Sequence, residues 1–172
     1  MGRDRPAFFI VNAFSDFYRS KMKEKFIIGR SDKIDLPDLH LFELDAKVDT
    51  GAYTSAIHYH HAEEVNRGGE VLLHFTLLDP THPDYNDKSF YFKEFDRREI
   101  KNSFGESEER YVITADIEIF GERFSTEFSL SDRGNLKFPI LLGRKLLAQH
   151  FIVDVSRRDL SYRQKKKRRR KK

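Results

Sequence analysis

Ala46-Lys47-Val48-Asp49-Thr50-Gly51-Ala52 is the most informative stretch of this chain. An apolar strand delivers a carboxylate, then a hydroxyl, then a glycine at the point where the chain must turn. An Asp in a partly buried turn can act as a general base on water when a second carboxylate shares its proton, because two contacting negative charges cannot both ionise. Thr50 can hydrogen-bond across a dimer axis, and Gly51 permits close approach of another backbone. An ordinary strand-to-turn Asp-Thr-Gly is the alternative interpretation.

The rest of the chain surrounds this stretch with short apolar runs. Residues 138–147, FPILLGRKLL, predict a buried strand, a glycine and the start of a short helix that ends near His150. Eight runs separated by Gly, Pro, Asp and Asn clusters predict strands and favour an all-β sandwich or barrel. They are KFIIG, LFELDAKV, EVLLHFTLL, SFYFKEF, RYVITADIEIF, RFSTEFSL, FPILLG and FIVDVS.

Taken together, Asp49-Thr50-Gly51-Ala52 and the later Leu141-Leu142-Gly143-Arg144 resemble the retropepsin-like aspartic peptidases. In these enzymes an Asp-Thr-Gly-Ala loop is followed by two hydrophobic residues, Gly, Arg and a short helix. From about Lys25 to Tyr162 the chain is also similar to one bacterial subfamily, often labelled ATP-dependent zinc proteases. Further stretches that carry this similarity are Thr54-Ser55-Ala56, residues 97–105, Glu109-Arg110-Tyr111-Val112, and Asp132-Arg133 through Gly143-Arg144. The resemblance implies an all-β, closed acid-protease β-barrel with one short C-terminal helix.

The resemblance also implies roles for single residues. The catalytic residues would be Asp49, Thr50 and Gly51. The residues that support their loop would be Leu142, Gly143 and Arg144. Because the sequence contains one Asp-Thr-Gly, a carboxylate pair requires a homodimer with one Asp49 from each subunit. Retroviral members carry an Asp shortly after the Ala, where it pairs with the arginine that matches Arg144; Tyr53 and Thr54 follow Ala52 here, which leaves that ion pair open.

The candidate substrate contacts are Ala52, Arg97, Arg98, Ser103 and Gly105. For the basic segment, a groove wall that contacts an acidic peptide is one interpretation, and an edge salt-bridged to the acidic run 106–109 is the other. Members of the family are often associated with ATP-grasp ligases that add glutamates to a ribosomal protein. The resemblance therefore implies a peptide or protein substrate with a glutamate-rich end.

Cofactor and metal motifs are missing from the sequence. No G-x-x-x-x-G-K-[ST] loop occurs for nucleotide phosphates, and no H-E-x-x-H occurs for zinc. The absence of Cys excludes thiolate zinc sites and disulfides. His58 and His60 would share one face of a strand and could ligate a metal with a distant carboxylate, whereas a polar loop is the plainer interpretation. We expect neither a cofactor nor a metal.

Charge divides the chain unevenly. Residues 163–172, RQKKKRRRKK, carry nine of the 32 basic side chains, so residues 1–162 hold 23 basic against 28 acidic groups. We expect an N-terminal extension over residues 1–24 with a helix after Pro6, a peptidase domain over residues 25–162, and a disordered polybasic tail over residues 163–172. The tail either contacts RNA or the ribosome or serves solubility. No apolar run long enough to span a membrane occurs, so we expect a cytoplasmic protein without membrane contact.

Two functions remain open on the sequence. The first is an aspartic endopeptidase in which paired Asp49 carboxylates of a homodimer activate a water molecule. The second is a non-catalytic module on the same fold that binds peptide, RNA or ribosome. A metal-dependent hydrolase that uses His58 and His60 is a third hypothesis, and it predicts loss of activity on chelation.

Overall fold

The computed structural model describes residues 25–101, 107–134 and 136–171. The predicted N-terminal helix, Ser103 and Gly105 lie outside these residues. The described part is mostly β, as predicted, and contains eleven strands and two α-helices. The strands are β1 (Phe26–Gly29), β2 (Ser31–Leu36), β3 (Leu41–Val48), β4 (Ser55–Arg67), β5 (Glu70–Leu77), β6 (Ser89–Phe92), β7 (Phe95–Lys101), β8 (Ser107–Ile119), β9 (Glu122–Ser131), β10 (Ile140–Leu142) and β11 (Phe151–Asp154); a 3-10 turn covers Pro37–Leu39, and the helices are α1 (Arg144–His150) and α2 (Leu160–Arg169).

Most of the strands belong to one sheet. Its order is β10-β3-β2-β8-β9-β4-β5-β6, and β10 also pairs with β4, so the pairings of six strands run in a ring. β10 is parallel to β3 and antiparallel to β4. This short apolar strand therefore lies between the strand that leads into the Asp49 loop and the strand that leaves it. β1 and β11 form a separate parallel pair.

The core of the ring is aliphatic and aromatic. In β3 the buried positions Leu44, Ala46 and Val48 alternate with exposed ones, as a strand with one buried face requires. The largest fully buried side chains are Phe75, Phe128, Ile28, Ile34, Leu36, Leu39, Leu44, Ile57, Leu73, Leu78, Ile113 and Ile117. Each such side chain contributes about 1.5–3 kcal/mol of hydrophobic stabilisation. This packing holds the ends of β3, β4 and β10 in fixed relative positions.

The strand predictions are correct where apolar residues dominate. The helix predicted after Gly143 is also confirmed, as α1. β2, β4 and most of β7 were not predicted. In β4 only the first four residues are buried, and the remainder is polar and largely exposed, so its sequence lacks a strand pattern.

The basic segment near the C-terminus differs from its prediction. We predicted disorder for residues 163–172, but Leu160–Arg169 form α2, which packs against β2. The first turn of this helix is capped from a distance by Asp32, which is fully buried and accepts hydrogen bonds from the main-chain N–H groups of Ser161 (2.8 Å) and Tyr162 (3.0 Å). Burial raises the pKa of Asp32 in spite of these donors.

Acidic side chains on β2 and β3 offset part of the repulsion within the basic helix. Lys165 forms an ion pair with Asp35, and Arg169 forms one with Glu43 at 2.8 Å. The prediction of disorder considered only the charges of the segment itself and missed these partners. Neither helix in the described residues is long and apolar enough to cross a membrane.

Candidate active site

Asp49 lies directly after β3, on a loop that the strand ends hold in place. The N–H of Asp49 donates to the carbonyl of Leu142 at 3.0 Å, so the loop begins as an extension of the β3–β10 pairing. The carboxylate Oδ1 of Asp49 accepts hydrogen bonds from the N–H groups of Gly51 (2.9 Å) and Ala52 (3.2 Å). This is an Asx turn, in which a side chain takes the place of a backbone acceptor. The carboxylate is thereby oriented while the side chain stays half-buried and accessible.

Gly143 brings β10 and α1 against the backbone that follows the Asp49 loop. A Cβ atom at Gly143 would stand 2.6 Å from the carbonyl carbon of Thr54 and 2.7 Å from the carbonyl oxygen of Tyr53. Real Cβ atoms do not approach backbone that closely, so a side chain at this position would push the two segments apart. The N–H of Gly143 donates to Oγ of the buried Ser55 at 3.0 Å, which fixes the junction.

Arg144 binds the Asp49 loop through carbonyl oxygens. Its guanidinium Nη1 donates to the carbonyls of Thr50 (2.8 Å) and Gly51 (2.7 Å), and its main-chain N–H donates to the carbonyl of Ala52 (2.9 Å). Arg144 therefore contacts two loop carbonyls, where the matching arginine of retroviral members pairs with a carboxylate. Leu142, Gly143 and Arg144 all contact the loop or its continuation.

Arg97 and Arg98 lie on β7 and are engaged by carboxylates. Arg97 forms ion pairs with Glu64 and Glu109, and Arg98 with Glu127 (2.6 Å) and Asp96. Of the acidic run 106–109 considered for this segment, Glu109 supplies one of these partners, and the other three lie outside that run. Both guanidinium groups have raised pKa values because of these acids. A substrate carboxylate would have to compete with these partners.

Glu127 is the centre of one of these ion-pair groups. Besides Arg98, it contacts Lys145 of α1 at 2.7 Å. Arg98 and, next, Lys145 hold the pKa of Glu127 down at about 2. Because the side chain is only 18% exposed, solvent screens these pairs less than it screens the surface pairs. The group joins the β7 edge to the helix that carries Arg144.

Arg133 is a site residue to which the sequence assigned no role. It is half-buried on the segment that joins β9 to β10. Its main-chain N–H donates to Nδ1 of His58 at 2.8 Å, and its side-chain Nε donates to the carbonyl of Phe138 at 3.1 Å. Burial, and then the neighbouring charge of Arg110, lower the pKa of Arg133, whereas the charge of Asp49 raises it. Asp132-Arg133 was a signal in the family resemblance, but only the fold brings it near Asp49.

His58 and His60 lie on β4, where the sequence favoured a polar loop. His58 is 4% exposed, and its Nε2 lies 2.9 Å from Oδ2 of Asp79, at ion-pair distance though outside hydrogen-bond geometry. His60 Nδ1 lies 3.0 Å from Oδ1 of the same carboxylate. The two histidines lower the pKa of Asp79. They therefore converge on one carboxylate, which anchors the segment after β5 to β4.

A different trio in the described residues brings metal-ligating atoms together. One ligand atom each from His61, Glu63 and His74 lie within 4.8 Å of one another. His74 and, next, His61 lower the pKa of Glu63, which lies between them. His61 and Glu63 are exposed, and His74 also stacks on Tyr91 with 4.6 Å between ring centroids. Among the described residues, this is the group of three whose ligand atoms lie close enough together to hold a cation. It lies on β4 and β5, several residues beyond Ser55 at the start of β4.

Comparison with known proteins identifies the family to which this fold and loop belong. The model of the RimB-like family, described as the retropepsin-like aspartic endopeptidase RimB, matches residues 27–164. The chain therefore belongs to the RimB-like family of retropepsin-like aspartic endopeptidases. A solved structure of a Legionella pneumophila protein of unknown function superposes with a TM-score of 0.60 at 25% identity, covering 80% of this chain and 99% of that one.

Curated relatives carry a different name. A probable alpha-L-glutamate ligase of Shewanella pealeana is 38% identical over 136 residues, which are 77% of this chain and 29% of that protein. A probable alpha-L-glutamate ligase of Desulfotalea psychrophila is 34% identical over 134 residues, 76% of this chain and 28% of that protein. The chain thus spans less than a third of the length of these relatives.

Proposed function

We propose that this protein is an aspartic endopeptidase that works as a homodimer. The observation that carries the proposal is the Asp49 carboxylate, oriented by two main-chain N–H groups on a loop that Arg144 fastens from α1. In the proposed dimer, on a closed acid-protease barrel, two Asp49 side chains share one proton and hold a water molecule. The ionised carboxylate takes a proton from the water while the water oxygen attacks the scissile carbonyl carbon. The protonated carboxyl group donates its proton to the carbonyl oxygen.

Collapse of the resulting tetrahedral species completes the reaction. The C–N bond breaks, the departing nitrogen takes a proton from the dyad, and a carboxylic acid and an amine are released. Thr50 and Gly51 would complete the loop that holds Asp49. A loop fixed by hydrogen bonds keeps the carboxylate aligned without reorganisation during the reaction. Water activation by this route requires no metal.

Exposure of the loop supports assembly of two copies. Thr50 and Gly51 are exposed in the single chain, and Tyr53 beside them is 62% exposed. A second copy placed on a two-fold axis through this loop would cover these residues and bring the second Asp49 to the first. A monomer would have only half of the proposed dyad.

A glutamate-rich peptide or protein end is the substrate class that we infer. The similarity of this chain to part of proteins named probable alpha-L-glutamate ligases supports it, since a peptidase next to a ligase could remove what the ligase adds. The candidate contacts are Ala52 beside the loop and Arg97 and Arg98 on β7, with Ser103 and Gly105 as further candidates from the sequence.

The test is a substitution at Asp49 with a matched control. Asp49→Asn keeps the shape and a side-chain acceptor for the loop but cannot act as a base, so cleavage of a glutamate-ended peptide should fall to background. Asp45→Asn, on the same strand and exposed, should retain activity. Sedimentation of wild type and Asp49→Asn should show the same dimer. Undiminished cleavage by Asp49→Asn, or full activity in a strictly monomeric sample, would reject the proposal.

One observation favours a second candidate function, binding of RNA or ribosome without catalysis. α2 is docked by Asp32, Asp35 and Glu43, so its remaining basic side chains, unlike those of a loose tail, stand at defined positions on the surface. The exposed ones are Arg163, Lys166, Lys167 and Arg168, and the exposed Arg170 and Lys171 follow the last residue of the helix. A fixed row of positive charge binds a polyanion mainly through release of counterions.

Salt dependence of RNA affinity tests this alternative. A variant with glutamine at Lys166, Lys167 and Arg170 removes two charges from α2 and one from the residue that follows it. Its plot of log affinity for single-stranded RNA against log salt should have a slope smaller by about 2. A variant with glutamine at the exposed Lys88, Lys93 and Arg123 controls for net charge. Equal slopes for the two variants would contradict binding by α2.

A further inference from the structure

The segment between β9 and β10 is attached to the same strands that frame the Asp49 loop. β10 ends at Leu142, whose carbonyl accepts the N–H of Asp49. At the other end of this segment, His58 of β4 accepts the N–H of Arg133, and the N–H of His58 donates to the carbonyl of Pro139 at 2.8 Å. Arg133 is therefore tied to a point three residues along β4 from Ser55, a distance of about 10 Å. Its side-chain Nε donates to the carbonyl of Phe138 on the same segment, and the charge of Asp49 acts on its guanidinium.

At Gly134 the backbone of this segment lies close to the side chains of His58 and Asp79. A Cβ atom at Gly134 would stand 2.6 Å from Oδ2 of Asp79 and 3.5 Å from Cε1 of His58, so the chain passes close over the His58–Asp79 pair. The side chain of Arg133 is directed by its hydrogen bond to Phe138. Arg133 is thus held at both its main chain and its side chain.

The charge of Arg133 is not neutralised by the described part of the chain. Its guanidinium forms no ion pair with a carboxylate among residues 25–101, 107–134 and 136–171, whereas its neighbour Arg110 pairs with Glu108 at 2.7 Å. Partial burial and the proximity of a second arginine make an unpaired guanidinium costly. A ligand carboxylate that reached it would relieve this cost and accept hydrogen bonds in a planar, two-pronged geometry.

We propose that Arg133 binds the side-chain carboxylate of a glutamate next to the scissile bond and so selects acidic substrates. This inference rests on the proposed peptidase function and names the residue that sets its specificity. Arg97 and Arg98 are less suited to the role because carboxylates of the protein already occupy them. Among the described arginines, Arg133 is half-buried, is hydrogen-bonded at both main chain and side chain, and feels the charge of Asp49.

The test compares two peptides on four proteins. One peptide ends in a short run of glutamates, and its twin has glutamine at each of those positions. The proteins are wild type, Arg133→Gln, Arg133→Lys and Lys137→Gln, the last removing an exposed charge from the same segment. Wild type and Lys137→Gln should prefer the glutamate peptide in kcat/KM. Arg133→Gln should lose that preference by at least about tenfold, and Arg133→Lys should retain part of it, because a site built to pair with a charged group discriminates strongly against its absence.

Binding measured on the catalytically dead background separates this inference from the peptidase proposal. In Asp49→Asn, fluorescence anisotropy of the labelled glutamate peptide should show a dissociation constant at least about tenfold higher when Arg133→Gln is added. If wild type cleaves neither peptide but this difference in binding is seen, the peptidase proposal fails and the role of Arg133 stands. If wild type cleaves and Arg133→Gln keeps the full glutamate preference while its thermal unfolding is unchanged, the role of Arg133 is overturned and the peptidase stands. Absence of both cleavage and binding overturns both.

Discussion

Asp49 and Asp32 make the same kind of hydrogen bond, but in different surroundings. Each carboxylate accepts main-chain N–H groups, from Gly51 and Ala52 in one case and from Lys33, Ser161 and Tyr162 in the other. Asp49 orders its own loop and remains half-buried, whereas Asp32 is fully buried and joins β2 to a helix far along the chain. The first arrangement leaves one face of the carboxylate open to water and substrate. The second leaves none.

Accessibility, and not the hydrogen-bond pattern, therefore distinguishes the candidate catalytic carboxylate from the structural one. A carboxylate that accepts two or three N–H groups is oriented wherever it lies. It can do chemistry only where a reactant can reach it. At Asp32 the same contacts support the docking of α2, and the raised pKa there reflects burial rather than function.

The largest effect on stability should follow removal of the Asp32 carboxylate. Asp32→Ala leaves the buried N–H group of Ser161 and the partly buried ones of Lys33 and Tyr162 without acceptors, and should lower the free energy of unfolding by about 3 kcal/mol. Urea unfolding measures the loss, and hydrogen exchange over residues 160–169 should show that α2 has become unprotected. Asp38→Ala, at an exposed position of the 3-10 turn, is the control and should change little. Wild-type protection of α2 in Asp32→Ala would contradict the assigned anchor.

Glu127 gives the next effect, through pH. Its folded pKa of about 2 lies below its ordinary value of 4.5, so its ion pairs contribute fully above about pH 4.5 and their contribution is lost as the pH falls toward 2. We expect Glu127→Gln to be less stable than wild type by about 2 kcal/mol at pH 7. This difference should shrink steadily in urea unfolding between pH 4.5 and pH 2. A difference that is independent of pH would show that packing, not charge, is responsible.

A smaller loss should follow substitution of Arg144, because its hydrogen bonds go to exposed carbonyls. Arg144→Met removes the donors to Thr50 and Gly51 and should cost about 1 kcal/mol in unfolding free energy. If the loop positions the catalytic carboxylate, kcat should fall much more than this stability loss suggests, while KM for the glutamate peptide changes little. Arg144→Lys keeps the charge and one donor and should restore part of kcat. Equal loss of stability and no loss of kcat would remove Arg144 from the support of the loop.

The parts of the molecule that could be predicted are those whose causes lie close together in the sequence. β3, β10 and α1 follow from local apolar patterns. The Asp49 loop follows from the Asp-Thr-Gly that ends β3. In these elements the residues that form the structure are also the ones whose local pattern predicts it.

The parts that could not be predicted depend on distant partners. α2 looked like a charged tail because the cap of its first turn, Asp32, is 129 positions away from Ser161. β4 lacks a periodic pattern after His58, and its pairing with β5 and β9 is what makes it a strand. Arg133 gains a place near Asp49 only through its anchor, His58, 75 positions earlier. In each case the two partners of the contact lie too far apart in the sequence for a local pattern to include both.

The smallest effect on stability should come from the residue with the largest proposed role in function. Asp49→Ala removes the acceptor of the Gly51 and Ala52 N–H groups, but the Gly51 hydrogen bond is exposed, so water can replace the lost oxygen. We expect the free energy of unfolding to change by no more than about 0.5–1 kcal/mol, against about 3 kcal/mol for Asp32→Ala. Both variants remove one carboxylate that binds main-chain N–H groups, so each is the other's control in the same urea titration. A loss at Asp49 as large as that at Asp32 would mean that the loop depends on its carboxylate for folding, and the distinction between an accessible carboxylate, proposed to be catalytic, and a buried structural one would no longer hold.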